Sequence, residues 1–176
     1  MDKEWRIIKL DWGHFDSLKE VMLIALEEAP FAFSVDLDEY ATKPVYWWNS
    51  YLSPFFDPST GTIFAALDSQ KKIVGIAGLL LNSSNRKKQR CSLVWLYVLK
   101  DYSGKKIASN LITVCIREAE IRKLKKITLM VNSTQVEAKN LYSKFEFKEA
   151  GELKNELYIA EKYYGVFIME RELNYP

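Results

Sequence analysis

The chain has 176 residues, enough for one domain with a sizeable core, and its 48% apolar and 14% aromatic content is that of a globular protein. A formal net charge of +2 names no partner class, and no apolar run approaches the roughly 18–20 residues that span a bilayer, so no membrane association is expected. Cys91 and Cys115 lie in apolar contexts and the start, Met-Asp-Lys-Glu-Trp-Arg, has no apolar signal segment; both point to a reduced, cytoplasmic setting.

The elements follow in chain order. Residues 5–10 alternate as a strand. Residues 15–29 carry Phe15, Leu18, Val21, Met22, Ala25 and Leu26 at helical spacing, with Asp16 or Ser17 near the start and Pro30 as the stop. Residues 31–42 read as a loop with room for a helical turn. Residues 44–52 read as a short aromatic helix with Pro44 in its first turn, and Pro54, Pro58 and Gly61 make residues 53–61 a loop. The period then changes. Residues 62–67, 72–81 and 90–99 are β-rich runs, the first two joined by the polar turn Asp68-Ser69-Gln70-Lys71, and they read as an antiparallel meander. A short polar turn leads to a helix over 107–123, with Ile107, Ala108, Leu111, Ile112, Cys115 and Ala119 on one face and Ser103 as its expected cap. Residues 126–131 form a buried strand, and the strand–helix–strand spacing favours a parallel pair. A helix over about 134–145 and two closing strands, near 147–159 and 162–173, complete a single α+β domain over 1–176. Its sheet is mixed and mostly antiparallel, with about seven strands, one central parallel pair and about four helices.

Three features carry chemistry. The turn Ser103-Gly104-Lys105-Lys106 between a buried strand and a long helix is an anion cradle in the making, because the first N–H groups of a helix have no intrahelical partner. Gln135, Ala138, Leu141, Tyr142 and Phe147 form a second patterned segment. Charge is also unevenly distributed: residues 20–42 hold six acids (Glu20, Glu27, Glu28, Asp36, Asp38, Glu39) and no Lys or Arg, whereas residues 86–126 hold twelve Lys/Arg against three acids. Such a bipolar chain suits the joining of an anionic carrier to a cationic amine. The run Arg86-Lys87-Lys88-Gln89-Arg90 comes with no groove-binding motif, so nucleic acid is not an expected partner. One His and two distant Cys leave no metal site to expect.

The order of elements and the two motifs resemble the GNAT superfamily of N-acetyltransferases across essentially the whole chain. The family's phosphate-binding pattern is Gln or Arg, two variable residues, Gly, one variable residue, then Gly or Ala. Aligned with it stand Ser103, Gly104, Lys105, Lys106, Ile107 and Ala108. Against the pattern's usual form, Arg-Gly-x-Gly-x-Gly, Gly104 and Ala108 fit; Ser103 replaces the Arg or Gln, and Lys106 replaces a fixed Gly. In the family's second pattern, Asn-x-x-Ala-x-x-Leu-Tyr-x-x-x-Gly-Phe, the aligned residues are Gln135, Ala138, Leu141, Tyr142, Glu146 and Phe147. Gln135 stands for Asn. Glu146 stands for a Gly that often supplies a positive φ.

The resemblance implies a GNAT-like fold whose central parallel strands splay to admit acetyl-CoA as cosubstrate. It implies pyrophosphate binding by main-chain N–H groups of Ser103 to Ala108; at Lys106 the larger side chain either blocks close approach or brings an ammonium to a phosphate in place of the missing Arg. It further implies main-chain pairing of Leu96, Tyr97 and Val98 with the pantetheine arm, a cofactor contact at Gln135, and Tyr142 as general acid for the departing thiolate. The activity implied is acetyl transfer to a primary amine of a small molecule or peptide by direct attack in a ternary complex. The alternative is a CoA-binding regulatory or partner-binding module that has lost turnover. The strand before the phosphate turn lacks the acid that members often use as base, which leaves Glu28, Asp36, Glu39 and Tyr97 as candidates; His14 reads as structural. The segment from Phe31 to Phe56 is the implied acceptor mouth, its aromatics shared between a substrate wall and helix packing. Members often dimerise, so a homodimer is among the expectations.

Overall fold

The computed structural model describes residues 4–84, 86–87 and 89–173. Seven strands, β1 (Trp5–Lys9), β2 (Gly61–Asp68), β3 (Ile73–Leu81), β4 (Arg90–Val98), β5 (Lys126–Asn132), β6 (Lys148–Ile159) and β7 (Lys162–Glu172), form one sheet in the order β1-β2-β3-β4-β5-β7-β6. Every pairing is antiparallel except β4 with β5, as the strand–helix–strand spacing requires. Five α-helices are described: α1 (Phe15–Glu28), α2 (Leu37–Ala41), α3 (Val45–Phe56), α4 (Ile107–Ile121) and α5 (Val136–Lys144). None is long and apolar enough to cross a membrane.

Helices cover both faces of the sheet, and two glycines of β3 show how. A Cβ on Gly75 would sit 3.0 Å from Ile107 of α4, whereas a Cβ on Gly78 would sit 2.7 Å from Phe55 of α3. Three residues apart on a strand means opposite faces, so α3 lies on one side and α4 on the other. α1 joins α3 on its side, with the Lys19 ammonium over the Trp48 ring. The central strands are accordingly buried on both faces: Ile63, Ala65, Ala66, Val74, Ile76, Ala77 and Leu79 are inaccessible.

Several local expectations change. The third helix does not stop at Leu52 but continues to Phe56 with Pro54 inside its last turn. Pro54 has no N–H for the Ser50 carbonyl, and the Ser53 hydroxyl donates to that carbonyl instead at 2.9 Å. The expected loop over 31–42 contains α2, whose N-terminus is capped by the Asp36 carboxylate accepting from the N–H groups of Asp38 and Glu39. Helix α1 begins at Phe15 with Asp16 in its first turn, as expected, and no side chain caps it. A 3-10 turn, Trp12–His14, leads into it, capped by Asp11 in reciprocal contact with His14, which gives His14 its structural role. Ser103 does not cap α4: the N-cap is Lys106, in the left-handed conformation at φ 61°, and no side chain closes that helix end.

Candidate active site

Strands β4 and β5 pair only at Arg90 with Lys126, Cys91 with Ile127 and Ser92 with Thr128. From Leu93 onward they part, while β5 keeps pairing with β7 out to Asn132. A gap opens in the middle of the sheet, and a cavity of about 850 Å³ occupies it, lined on β4 by Ser92 to Leu96 and on β5 by Thr128, Leu129, Met130 and Asn132.

A bulge on β4 aims the wall of this gap. Ile76 of β3 faces Tyr97 and Gly78 faces Val94, so two steps on β3 oppose three on β4, and Trp95 takes a positive φ of 54°. Strict alternation from Cys91, which lies toward Cys115 of α4, would put Trp95 and Tyr97 on the α4 face. The extra residue turns both to the α1–α3 side. There the Trp95 indole Nε1 donates to the Tyr51 hydroxyl of α3 at 3.0 Å, and the Tyr97 hydroxyl donates to the Glu28 carboxylate at the end of α1. Burial, then the Glu28 carboxylate, push the Tyr97 phenol above its ordinary range. The β4 bulge and the Glu28–Tyr97 pair escape sequence reasoning. A positive φ at Trp has no residue signature, and the pair joins positions 69 apart.

Past β4 the chain makes a 3-10 turn, Lys100–Tyr102, fixed by the Tyr102 hydroxyl donating to Asp68 at 2.9 Å. Gly104 then adopts φ 76° with nothing within 4 Å of where a Cβ would stand. Lys105 and Lys106 are exposed but differ. The Lys105 ammonium is committed to Glu4 at 3.0 Å and lies over the Tyr102 ring, whereas that of Lys106 has no ion-pair partner among the described residues. The side chain of Ile107 is buried and that of Ala108 half-buried, which leaves main-chain N–H groups as what this end offers an anion. Both departures from the family's glycines fall at left-handed residues, Lys106 at 61° and Glu146 at 63°. The backbone shape survives without the glycine.

Tyr142 is buried on α5, edge-on to Phe147, and lines the cavity. Burial, reinforced by Cys115, raises its phenol well above the ordinary value and keeps it protonated. Among the described residues its hydroxyl has no hydrogen-bond partner. Gln135 is half-buried just before α5, outside the cavity wall, its N–H bonded to the Asn132 carbonyl. Of the strand residues expected to pair through their main chain, Leu96 lines the cavity, whereas Tyr97 and Val98 are not among the residues that line it.

Two further residues, not anticipated from the sequence, reach the cavity. Asn132 ends β5, 4% exposed; its Oδ1 accepts from the N–H and hydroxyl of Thr134 at 3.0 and 3.2 Å, which fixes the amide with Nδ2 buried and unpartnered. Glu156 of β6 is the one charged residue among those that line it. The other proposed bases are engaged elsewhere: Asp36 caps α2 and Glu39 pairs with Lys43 at 2.9 Å. The aromatic segment divides as its two readings allow. Phe33, Tyr51 and Phe55 line the cavity, Tyr40 and Trp48 are core, and Tyr46 is 76% exposed. No group of three or more His, Cys, Asp or Glu able to hold a metal ion occurs among the described residues. The basic run 86–90 lies partly outside them.

The sheet is thus seven-stranded and mixed, open at its parallel pair and beside a helix N-terminus that no side chain caps. The chain belongs to the acetyltransferase (GNAT) family, whose model matches residues 18–147. No curated protein is similar enough in sequence to match it. Among solved structures it is similar to a GNAT-family acetyltransferase from Streptococcus pneumoniae, at 21% identity, with 97% of this chain and 100% of that one covered and a TM-score of 0.84. It is similar also to the Vibrio cholerae spermidine N-acetyltransferase in complex with CoA and spermine (19% identity, 97% and 96% covered, TM-score 0.77). A third likeness is the ribosomal-protein-alanine N-acetyltransferase of Brucella melitensis (18% identity, 96% and 99% covered, TM-score 0.75). At these identities the likeness is one of fold.

Proposed function

We propose that this chain transfers an acetyl group from acetyl-CoA to a primary amine of a small molecule or peptide, by direct attack in a ternary complex. The observation that carries this reading is the opening of β4 from β5 after three paired residues, directly before a turn whose helix N-terminus no side chain closes. Acetyl-CoA, when bound, supplies the acetyl group as an activated thioester.

The chain's own groups suit that donor. The main chain from Gly104 to Ala108 offers N–H groups and a helix dipole to a pyrophosphate, with the Lys106 ammonium beside them; the Ser103 N–H is donated to the Lys100 carbonyl at 3.0 Å and is not among them. The edge of β4 from Leu96 to Val98, unpaired toward β5, offers main-chain hydrogen bonds to an extended arm. Asn132 Nδ2, buried with no partner, is a pre-aimed donor for a carbonyl oxygen. A fixed donor of this kind is worth about 3 kcal/mol where charge develops on oxygen. Tyr142, held protonated by burial, is suited to give a proton to a departing thiolate. Gln135 is left with a supporting role at the start of α5.

The test is amine-dependent release of the CoA thiol by the wild type and Tyr142→Phe. The proposal expects turnover to fall by roughly 10²-fold or more in the variant with acetyl-CoA affinity nearly unchanged. Equal turnover would remove Tyr142 from the acid role. Acetyl-CoA binding with no turnover of any amine would favour the regulatory alternative.

A further inference from the structure

We infer that the acceptor is a primary amine bearing a single positive charge on an apolar, ring-bearing body, with 2-phenylethylamine as its simplest representative. This rests on the acetyl-transfer reading and narrows it.

The α1–α3 side of the cavity is an aromatic slot with fixed walls. Phe33 stacks on Trp95 at 4.8 Å and 29°, the Trp95 indole is tied to the Tyr51 hydroxyl at 3.0 Å, and Tyr51 is backed by Trp47 at 4.8 Å and 11°. Walls held by one another lose little freedom when a flat apolar group enters, so burial there is inexpensive. Their ring faces also attract an ammonium.

Charge restricts the occupant further. Among the described residues lining the cavity there is one acid, Glu156, and no Lys or Arg. An acceptor with its own carboxylate or phosphate would bury that group without a counter-charge, which is costly. A polyamine would meet the opposite shortage, with one carboxylate for several ammonium groups. The acids that could supplement Glu156 are engaged: Glu28 with the Tyr97 hydroxyl, Asp36 at the N-terminus of α2, Glu39 with Lys43. A peptide acceptor would need partners for its amides, and this side offers few polar side chains beyond Ser34 and Ser50. A single ammonium on a ring-bearing body satisfies Glu156 and leaves no second charge to place.

The experiment uses the full chain and three amines, 2-phenylethylamine, spermidine and L-alanine. Binding is measured by calorimetry with and without CoA, and kcat/KM is measured with saturating acetyl-CoA. The expected result is 2-phenylethylamine favoured at least tenfold in both. Glu156→Gln should weaken 2-phenylethylamine about tenfold while leaving uncharged 2-phenylethanol unchanged. Trp95→Ala should raise KM for the amine more than it lowers kcat, and Phe33→Leu, away from the strained bulge, should do the same if Trp95→Ala fails to fold. Spermidine or alanine binding as tightly as 2-phenylethylamine, or indifference to both Glu156→Gln and Phe33→Leu, would overturn the inference. Failure of acetyl-CoA to bind defeats the acetyl-transfer reading instead. A protein that binds acetyl-CoA and prefers spermidine or alanine defeats only the acceptor assignment.

Discussion

Under the proposed function, Lys106 holds two tasks that its family's motif separates. Its backbone turns left-handed to start α4, a conformation that costs a non-glycine residue about 1–2 kcal/mol, and its ammonium stands beside the helix end that attracts anions. A glycine there would relieve strain but also widen the unfolded ensemble, by about 0.4–1 kcal/mol. Lys106→Gly is therefore expected to raise folding stability by roughly 0.5–1 kcal/mol while weakening acetyl-CoA binding by at least about 1 kcal/mol. Denaturant unfolding and calorimetry on the same variant read the two effects. Higher stability with unchanged affinity would mean that the ammonium serves solvent rather than phosphate. Lys105 is not its substitute, being tied to Glu4. Glu146 shows the same replacement at a second left-handed position, with its carboxylate recruited to Arg171 at 3.1 Å.

At the scale of elements, the site depends on how three strands are held apart and bent. Gly78 lets Phe55 of α3 lie directly against β3 opposite the bulge. A methyl group there would meet backed aromatic carbon, so Gly78→Ala should cost about 1–3 kcal/mol, read as a lower denaturation midpoint, with amine KM raised through displacement of the neighbouring Phe55 and Tyr51. An unchanged midpoint would show that α3 can slide. Much of this level was legible in the sequence, because the antiparallel meander and the parallel pair follow from spacing and period, and the turn at residues 103–106 from a strand–turn–helix boundary; the placing of β7 between β5 and β6 was not. The rest was hidden for physical reasons. Pro54 reads as a helix stop unless one knows that Ser53 satisfies the orphaned carbonyl. Trp95 carries no mark of its left-handed backbone. Asn132 and Glu156 become conspicuous only when the Asn132 Nδ2 is found buried and unpartnered among the described residues and Glu156, itself exposed, is found among the residues lining the cavity.

Over the whole molecule, the acidic and basic halves of the sequence are only partly a charge pattern on the surface. Lys126 pairs with Glu170 at 2.7 Å and Arg122 with Glu118 at 2.6 Å, so part of the basic excess is neutralised within the fold, while Lys106, like Lys100, Arg117 and Lys123, has no ion pair among the described residues. The buried titratable groups give the fold a pH signature. Burial pushes the Cys91 thiol up to about 12 and raises Cys115, Tyr40, Tyr97 and Tyr142. In the unfolded chain these groups release protons from about pH 8.5 for cysteine and about pH 10 for tyrosine, while the folded chain retains them. Unfolding then releases protons, and rising pH favours it. The melting temperature should hold below about pH 8.5, decline above it and fall more steeply beyond about pH 10; a flat profile to pH 11 would mean the groups are accessible to solvent. The central claim remains that the gap between β4 and β5 and the turn at residues 103–108 together hold acetyl-CoA. Calorimetric titration with acetyl-CoA, with CoA and ATP as controls, tests it most directly: micromolar binding of acetyl-CoA with ATP much weaker is the expected result, and no binding up to millimolar acetyl-CoA would contradict it.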